Sequence, residues 1–95
     1  MSTVLAQTEI DNALQSLRGW NSEGGAIQRV FQFDNFLHSM EFVNKIADAA
    51  EAASHHPDIL INYNKVTLTL TSHDSGGVTQ RDIRMAGTIN QVAGG

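Results

Sequence analysis

An α+β domain, with a four-stranded antiparallel sheet carrying helices on one face in the order α-β-β-α-β-β-α, is the expectation for this 95-residue chain. Two observations lead there. Two stretches, Ala26 to Phe33 and Val66 to Leu70, alternate in the two-residue period of a strand, and each has a turn signal and a short connection before it, as hairpins do. Three further stretches repeat apolar residues at helical spacing and lie before, between and after the strand pairs, so the strands pair antiparallel within hairpins and the helices cover one side.

The first helix is expected from Thr8, as N-cap, to Leu17: Glu9 and Asp11 fall in the first turn, Ile10, Leu14 and Leu17 recur at helical spacing, and Arg18-Gly19 ends it. Asn21-Ser-Glu-Gly-Gly25 reads as a tight turn. After it Ile27, Arg29, Phe31 and Phe33 share one strand face and Ala26, Gln28, Val30 and Gln32 the other. Asp34 is read as the N-cap of a long helix reaching about Ser54, with Phe36, Met40, Val43, Ala47 and Ala50 on its apolar stripe and Leu37 and Ile46 widening it. Ile59 to Tyr63 is a strand, Asn64-Lys65 a turn, and Val66, Leu68 and Leu70 alternate with threonines as a half-buried strand. Ser75-Gly76-Gly77 closes that strand. Thr79 caps the last helix with Asp82 at its third position, Ile83, Ala86, Ile89 and Asn90 follow, and the tail from Val92 to Gly95 is expected to fray.

Composition excludes several functions. The length suits one domain over residues 1–95 with one modest core, and 41% apolar against 17% charged residues leaves neutral surface for association, so a homo-oligomer, dimer or tetramer, is expected. A formal net charge of -4 with no run of Lys or Arg argues against nucleic-acid binding. The absence of cysteine excludes disulfides, redox motifs and thiolate metal sites. Met1 to Gln7 does not read as a signal peptide, and no apolar run approaches the ~20 residues of a membrane span, so a cytoplasmic protein is expected.

Three of the 4 histidines fall between His55 and His73. Imidazole exchanges protons near neutral pH, so such a cluster serves acid-base chemistry or metal binding. His55 and His56 stand at the end of the long helix, because Pro57 disfavours helical backbone in the residue before it, and imidazoles there also complement the helix dipole. His73 follows the last strand. Glu51, one turn before His55, is placed to orient that ring or merely to pair with it as a surface stabiliser. Asp82 has two readings as well, cap or histidine partner. His38 stands alone in the long helix and is read as structural. A metal site is disfavoured, since adjacent histidines are an uncommon chelating pair and helical i,i+4 or strand i,i+2 pairs are missing. Nucleophilic catalysis lacks a cysteine or a Gly-x-Ser-x-Gly elbow, Ser54 carries no mark of activation, and Gly24-Gly25 and Gly76-Gly77 fit turns rather than a phosphate loop.

The spacing Glu51, His55-His56-Pro57, Tyr63, His73, Asp82 resembles the motif of the pterin-4a-carbinolamine dehydratases. Arg18-Gly19-Trp20, Arg29-x-Phe31-x-Phe33-x-x-Phe36, Tyr63-Asn64-Lys65-Val66, Thr71-Ser72-His73-Asp74 and Gly77-x-Thr79-x-x-Asp82-Ile83 extend the resemblance over nearly the whole chain, with Ser72 where the family often has threonine. The resemblance implies the same α-β-β-α-β-β-α order and a reaction: a 4a-hydroxytetrahydropterin, left by an aromatic amino acid hydroxylase that uses tetrahydrobiopterin, loses water to give the quinonoid dihydropterin. It implies His55, His56 and His73 as catalytic residues and no metal or other cofactor, the pterin being substrate. In this reading His55 and His73 approach the hydroxyl from two sides, His56 orients the pterin or exchanges the N5 proton, and Glu51 and Asp82 orient the imidazoles. Pro57, Tyr63 and Trp20 complete the supporting and substrate-binding set. The family also implies a competing role as a binding module, either a dimerisation cofactor for a transcription factor or a Rubisco assembly factor. A metal-dependent hydrolase or isomerase is the third reading.

Overall fold

A computed structural model describes residues 3–94. Its elements follow the expected order: α1 (Gln7–Leu14), β1 (Asn21–Glu23), β2 (Ala26–Gln32), α2 (Phe36–Ala53), β3 (Asp58–Asn62), β4 (Lys65–Leu70) and α3 (Gln80–Val92). All neighbours in the sheet are antiparallel, in the order β1-β2-β4-β3. The register sets Ile27 opposite Leu70, Arg29 opposite Leu68 and Phe31 opposite Val66. Strand residues two apart share a face, so these line the helix-covered side, where Ile27, Val66, Leu68 and Leu70 are wholly buried. Phe42 of α2 stacks tilted against Phe31 and Phe33 at 4.7 and 5.0 Å between ring centroids. Val30, Thr67 and Leu60 form a row on the opposite face, which no helix covers.

Several local expectations shift. The cap of α1 is Ala6 rather than Thr8, which lies inside the first turn; alanine has no side-chain acceptor, and Glu9 Oε1 accepts the Ala6 N–H at 2.8 Å instead. The helix ends at Leu14, and Leu17 is buried from the turn that follows. Asn21 to Glu23 is strand, so the turn narrows to Gly24-Gly25, whose φ angles of 50° and 82° are those of a hairpin turn that only glycine adopts freely. Asn35, not Asp34, caps α2, its Oδ1 accepting the His38 N–H at 2.9 Å.

The buried line of α2 is Ser39, Phe42, Ile46 and Ala50; Ile46 and Ala50 were expected on the apolar side, whereas Ser39 and Phe42 take the places expected of Met40 and Val43, and Phe36 is half exposed. The helix is apolar over more than one stripe, and the wholly buried Ser39 permits closer approach than Met40 would. In the second hairpin the turn is Tyr63-Asn64 rather than Asn64-Lys65, with Tyr63 at φ 53° and Lys65 already in β4. Cap residues of α3 stand as expected, Thr79 and Asp82, and the helix holds through Val92; Gly95, at the end of the tail expected to fray, lies outside the described residues.

Candidate active site

Two chain reversals bring the chemistry together. At the end of α2 Ser54 adopts a left-handed conformation, its N–H donating to Glu51 O while the His55 N–H reaches back to Ala50 O, the pairing of a Schellman motif. The helix therefore stops before Pro57 acts on it. Beyond Ser54 the chain is no longer helical, so the two histidines do not share a helix face: His55 turns inward, buried, and His56 outward, its side chain 61% exposed. Pro57 is buried and leads into β3.

Asp82 meets His55 from α3. As the N3 residue of the capping box it sits in the first helical turn, where the positive end of the helix dipole favours a carboxylate, and it is wholly buried. Its Oδ2 accepts the Thr79 N–H and the Ser72 hydroxyl, both at 2.9 Å, and its Oδ1 lies 2.5 Å from His55 Nε2. An ionised carboxylate only accepts, so the proton between the two groups sits on Nε2, and Nδ1 is the ring nitrogen left for other partners.

Glu51 pairs with His56, 2.5 Å away, and not with His55 as its spacing suggested. The left-handed residue at Ser54 breaks the i,i+4 relation. This second pair stands in solvent, with side chains 61% and 77% exposed, where an ion pair adds about 0–1 kcal/mol of stability. His73 is exposed on a turn in which the N–H groups of Ser75, Gly76 and Gly77 all point at Ser72 O. Asp74, beside it, accepts from Arg81 Nη2 at 2.6 Å, and that bond holds the Asp74 carboxyl below the usual carboxylate range.

The strand register explains why His55 and His73 share a neighbourhood. Asp58 opposes Thr69, so the start of β3 and the end of β4 lie at one end of the sheet. Ser72, the residue before His73, bonds the carboxylate that holds His55. A cavity of about 230 Å³ opens beside His55, lined also by Ala53, Arg81, Arg84, Met85 and Thr88; His56 and His73 are outside its lining.

Two expected site residues lie elsewhere. Tyr63 sits at the far end of the hairpin, across the 5 residues of β3, roughly 16 Å at ordinary strand rise. Trp20 is buried in the core, its Nε1 donating to Asn90 Oδ1 at 2.8 Å, so it fastens α3 rather than facing the cavity. The same Asn90 oxygen accepts Arg29 Nη1 at 2.6 Å, and Gly19 beside that guanidinium has a φ of 83°, which favours glycine, while a Cβ there would also meet Arg29 Nε at 2.5 Å and displace the side chain. Burial, and after it the charge of Arg18, lowers the Arg29 pKa from its usual value. His38 lies on the exposed side of α2, 3.9 Å from Asp34, away from this cluster. Ser72, Arg81 and Arg84 were not anticipated. Ser72 is 10 residues from Asp82, a separation with no local pattern, whereas Arg81 and Arg84 flank Asp82 on α3 and follow from helical spacing once the cavity is known.

Among the described residues no group of three or more His, Cys, Asp or Glu side chains is arranged to hold a metal ion. No described helix is long and apolar enough to cross a membrane.

Comparison with known proteins decides the family. Residues 3–92 match the model of the Pterin 4 alpha carbinolamine dehydratase family. The chain belongs to this family. Its dehydratase relatives include a protein of Koribacter versatilis, provisionally named for the family, that is 61% identical over 92 residues, 97% of this chain and 98% of that one. Another, from Picosynechococcus and named in the same provisional way, is 51% identical over 97% of this chain and all of its own. Among solved structures, the transcriptional coactivator/pterin dehydratase of Brucella melitensis superposes with a TM-score of 0.91 at 38% identity, covering 96% of this chain and 99% of that one. A pterin dehydratase-like protein described as a RuBisCO assembly factor in the alpha-carboxysome shares the fold, with a TM-score of 0.69 at 21% identity over 81% of this chain and 92% of its own.

Proposed function

We propose that the chain dehydrates a 4a-hydroxytetrahydropterin to the quinonoid dihydropterin, recycling tetrahydrobiopterin after aromatic amino acid hydroxylation. The observation that carries this reading is a buried histidine held through Nε2 by Asp82, with its other ring nitrogen free, on the wall of a cavity. The reaction asks for nothing but proton movement. The C4a–O bond breaks as the hydroxyl takes a proton and leaves as water, N5 loses its proton, and the electrons of the N5–H bond form the C4a=N5 double bond. An acid and a base of near-neutral strength suffice, and the pterin is substrate, with no further cofactor.

In this reading His55, through Nδ1, and His73 serve the hydroxyl from its two sides, and His56, steadied by Glu51, orients the ring or exchanges the N5 proton. Asp82 sets the His55 tautomer, and Pro57 holds the segment after the histidines. Tyr63 and Trp20 have no part in the cavity. Self-association belongs to the same proposal: β1 and β3 are unpaired edges, and Leu60 and Val30 on the uncovered face are 63% and 55% exposed.

The test is to generate each 4a-hydroxy epimer and follow its loss above the nonenzymatic rate. His55→Ala and His73→Ala are each expected to slow mainly one epimer, by opposite preference, and His56→Ala to slow both, within the roughly 10²- to 10⁴-fold range of acid-base catalysis. Wild-type rates in all three variants would leave a protein-binding module, and equal loss of both epimers in the first two would overturn the two-sided assignment.

A further inference from the structure

We infer that Ser72 is a positioning residue for the reaction, the middle of a buried chain of hydroxyls that orients the Asp82 carboxylate and so fixes the orientation of His55, which lines the cavity. The inference rests on the dehydratase reading and deepens it. Ser72 and Thr79 are both buried, at 1% and 0% exposure, and their hydroxyls bond within the protein.

The bonds among them have one consistent direction. Arg81 N–H donates to Thr79 Oγ1 at 3.2 Å, which leaves the Thr79 hydroxyl proton to donate; Ser72 Oγ stands 2.8 Å away and accepts it. The Ser72 proton is then committed to Asp82 Oδ2 at 2.9 Å, beside the Thr79 N–H on the same oxygen. With two donors converging on Oδ2, the carboxylate cannot rotate, and Oδ1 is presented to His55 Nε2. Ser72 thus links the turn that carries His73 to the pair that holds His55, although it does not line the cavity and its hydroxyl bonds to Asp82 and Thr79 rather than to His55. The turn is closed on Ser72 at the backbone as well, through its bridge to Gly77.

Ser72→Ala removes one donor from the carboxylate without opening a cavity, and Ser72→Thr keeps the hydroxyl. The charged and titratable groups around His55 are Asp82, Arg81 and Arg84 on α3, Glu51 and His56 at the end of α2, and His73 and Asp74 on the turn, and neither substitution replaces any of them. Losing a donor disfavours the anionic carboxylate, so the His55–Asp82 pair takes up a proton more readily. The limb of the pH–rate profile belonging to that pair is expected to move to higher pH in Ser72→Ala. The rate should fall about tenfold to a hundredfold, the factor set by a hydrogen bond to a charged group, and Ser72→Thr should restore both. The His55 Nε2–H proton, followed by NMR in protein without substrate, should broaden and exchange faster in Ser72→Ala and return in Ser72→Thr. A wild-type rate in Ser72→Ala overturns the inference, as does a slow Ser72→Ala whose pH limb and His55 proton are unchanged. If wild-type protein does not dehydrate the carbinolamine at all, the dehydratase reading fails, while the His55 proton in the variants still decides what Ser72 does.

Discussion

Asp82→Asn separates the two roles of the buried carboxylate. Asparagine keeps the shape of the wholly buried side chain but replaces one acceptor oxygen with a donating amide. Two donors, Thr79 N–H and the Ser72 hydroxyl, converge on Oδ2 and one, His55 Nε2–H, on Oδ1, so the amide oxygen settles at the Oδ2 position and its NH₂ faces His55. The imidazole must then accept through Nε2 and carry its proton on Nδ1, the nitrogen that the proposed mechanism uses. Dehydration is expected to fall by about 10² to 10⁴, as for loss of a positioned acid or base. Stability should fall less. Hydrogen bonds to a charged group contribute about 1.5–3 kcal/mol and neutral ones about 0.5–1.5, but removing a buried charge returns part of that difference, leaving a net loss of about 1–3 kcal/mol. Urea titration gives the stability and stopped-flow dehydration of the carbinolamine gives the rate, at a temperature where the variant is folded. A folded Asp82→Asn protein with undiminished rate would show that the carboxylate is a helix cap alone.

Two further outcomes follow from the geometry. Arg81 depresses the Asp74 carboxyl, so the pair stabilises the fold above the ordinary carboxylate value, about 3.9, and that contribution is lost as pH falls through the lower folded value; Asp74→Asn should show a flatter urea midpoint than wild type across acid pH, and parallel curves would refute the pairing. Light scattering at micromolar concentration should give a dimer or tetramer mass, and a monomer mass would refute self-association through the exposed edges and uncovered face.

Period and punctuation made the element order legible, because each hairpin holds an alternating strand beside a turn signal and apolar residues recur at helical spacing between the hairpins. Of the three expected caps only that of α3 falls where it was read. What periodicity did not determine was which side of α2 faces inward. Its surface carries Phe36, Leu37, Met40 and Val43 as well as Phe42 and Ile46, and only packing against β4 and α3 selects Ser39, Phe42, Ile46 and Ala50. The same limit applies to the site. His55, His56, His73 and Asp82 were legible as a spaced set, but their pairing was not: Glu51 looked one turn from His55, and a single left-handed residue at Ser54 gives it to His56. Tyr63 belonged to the spaced motif and Trp20 to the wider resemblance, yet one lies at the opposite sheet end and the other in the core, since sequence motifs record fold constraints and chemistry together.

Asp82 shows why the two are entangled in so small a domain. A carboxylate cannot be buried without donors, and the first turn of a helix supplies them: the Thr79 N–H and the favourable end of the α3 dipole stabilise the charge that the site then uses. His55 is buried for the complementary reason, since its Nε2–H has an acceptor inside the protein and its remaining nitrogen can face the cavity. The pair is therefore rigid because it is part of the cap, and the cap is tolerated in the core because it is part of the pair. Glu51 and His56 face solvent, where side chains move freely, and their geometry is set only by the turn at Ser54. Under the proposed dehydration, a buried pair that holds one geometry suits proton transfer at a fixed atom, and an exposed pair suits guiding the ring and passing its proton to water.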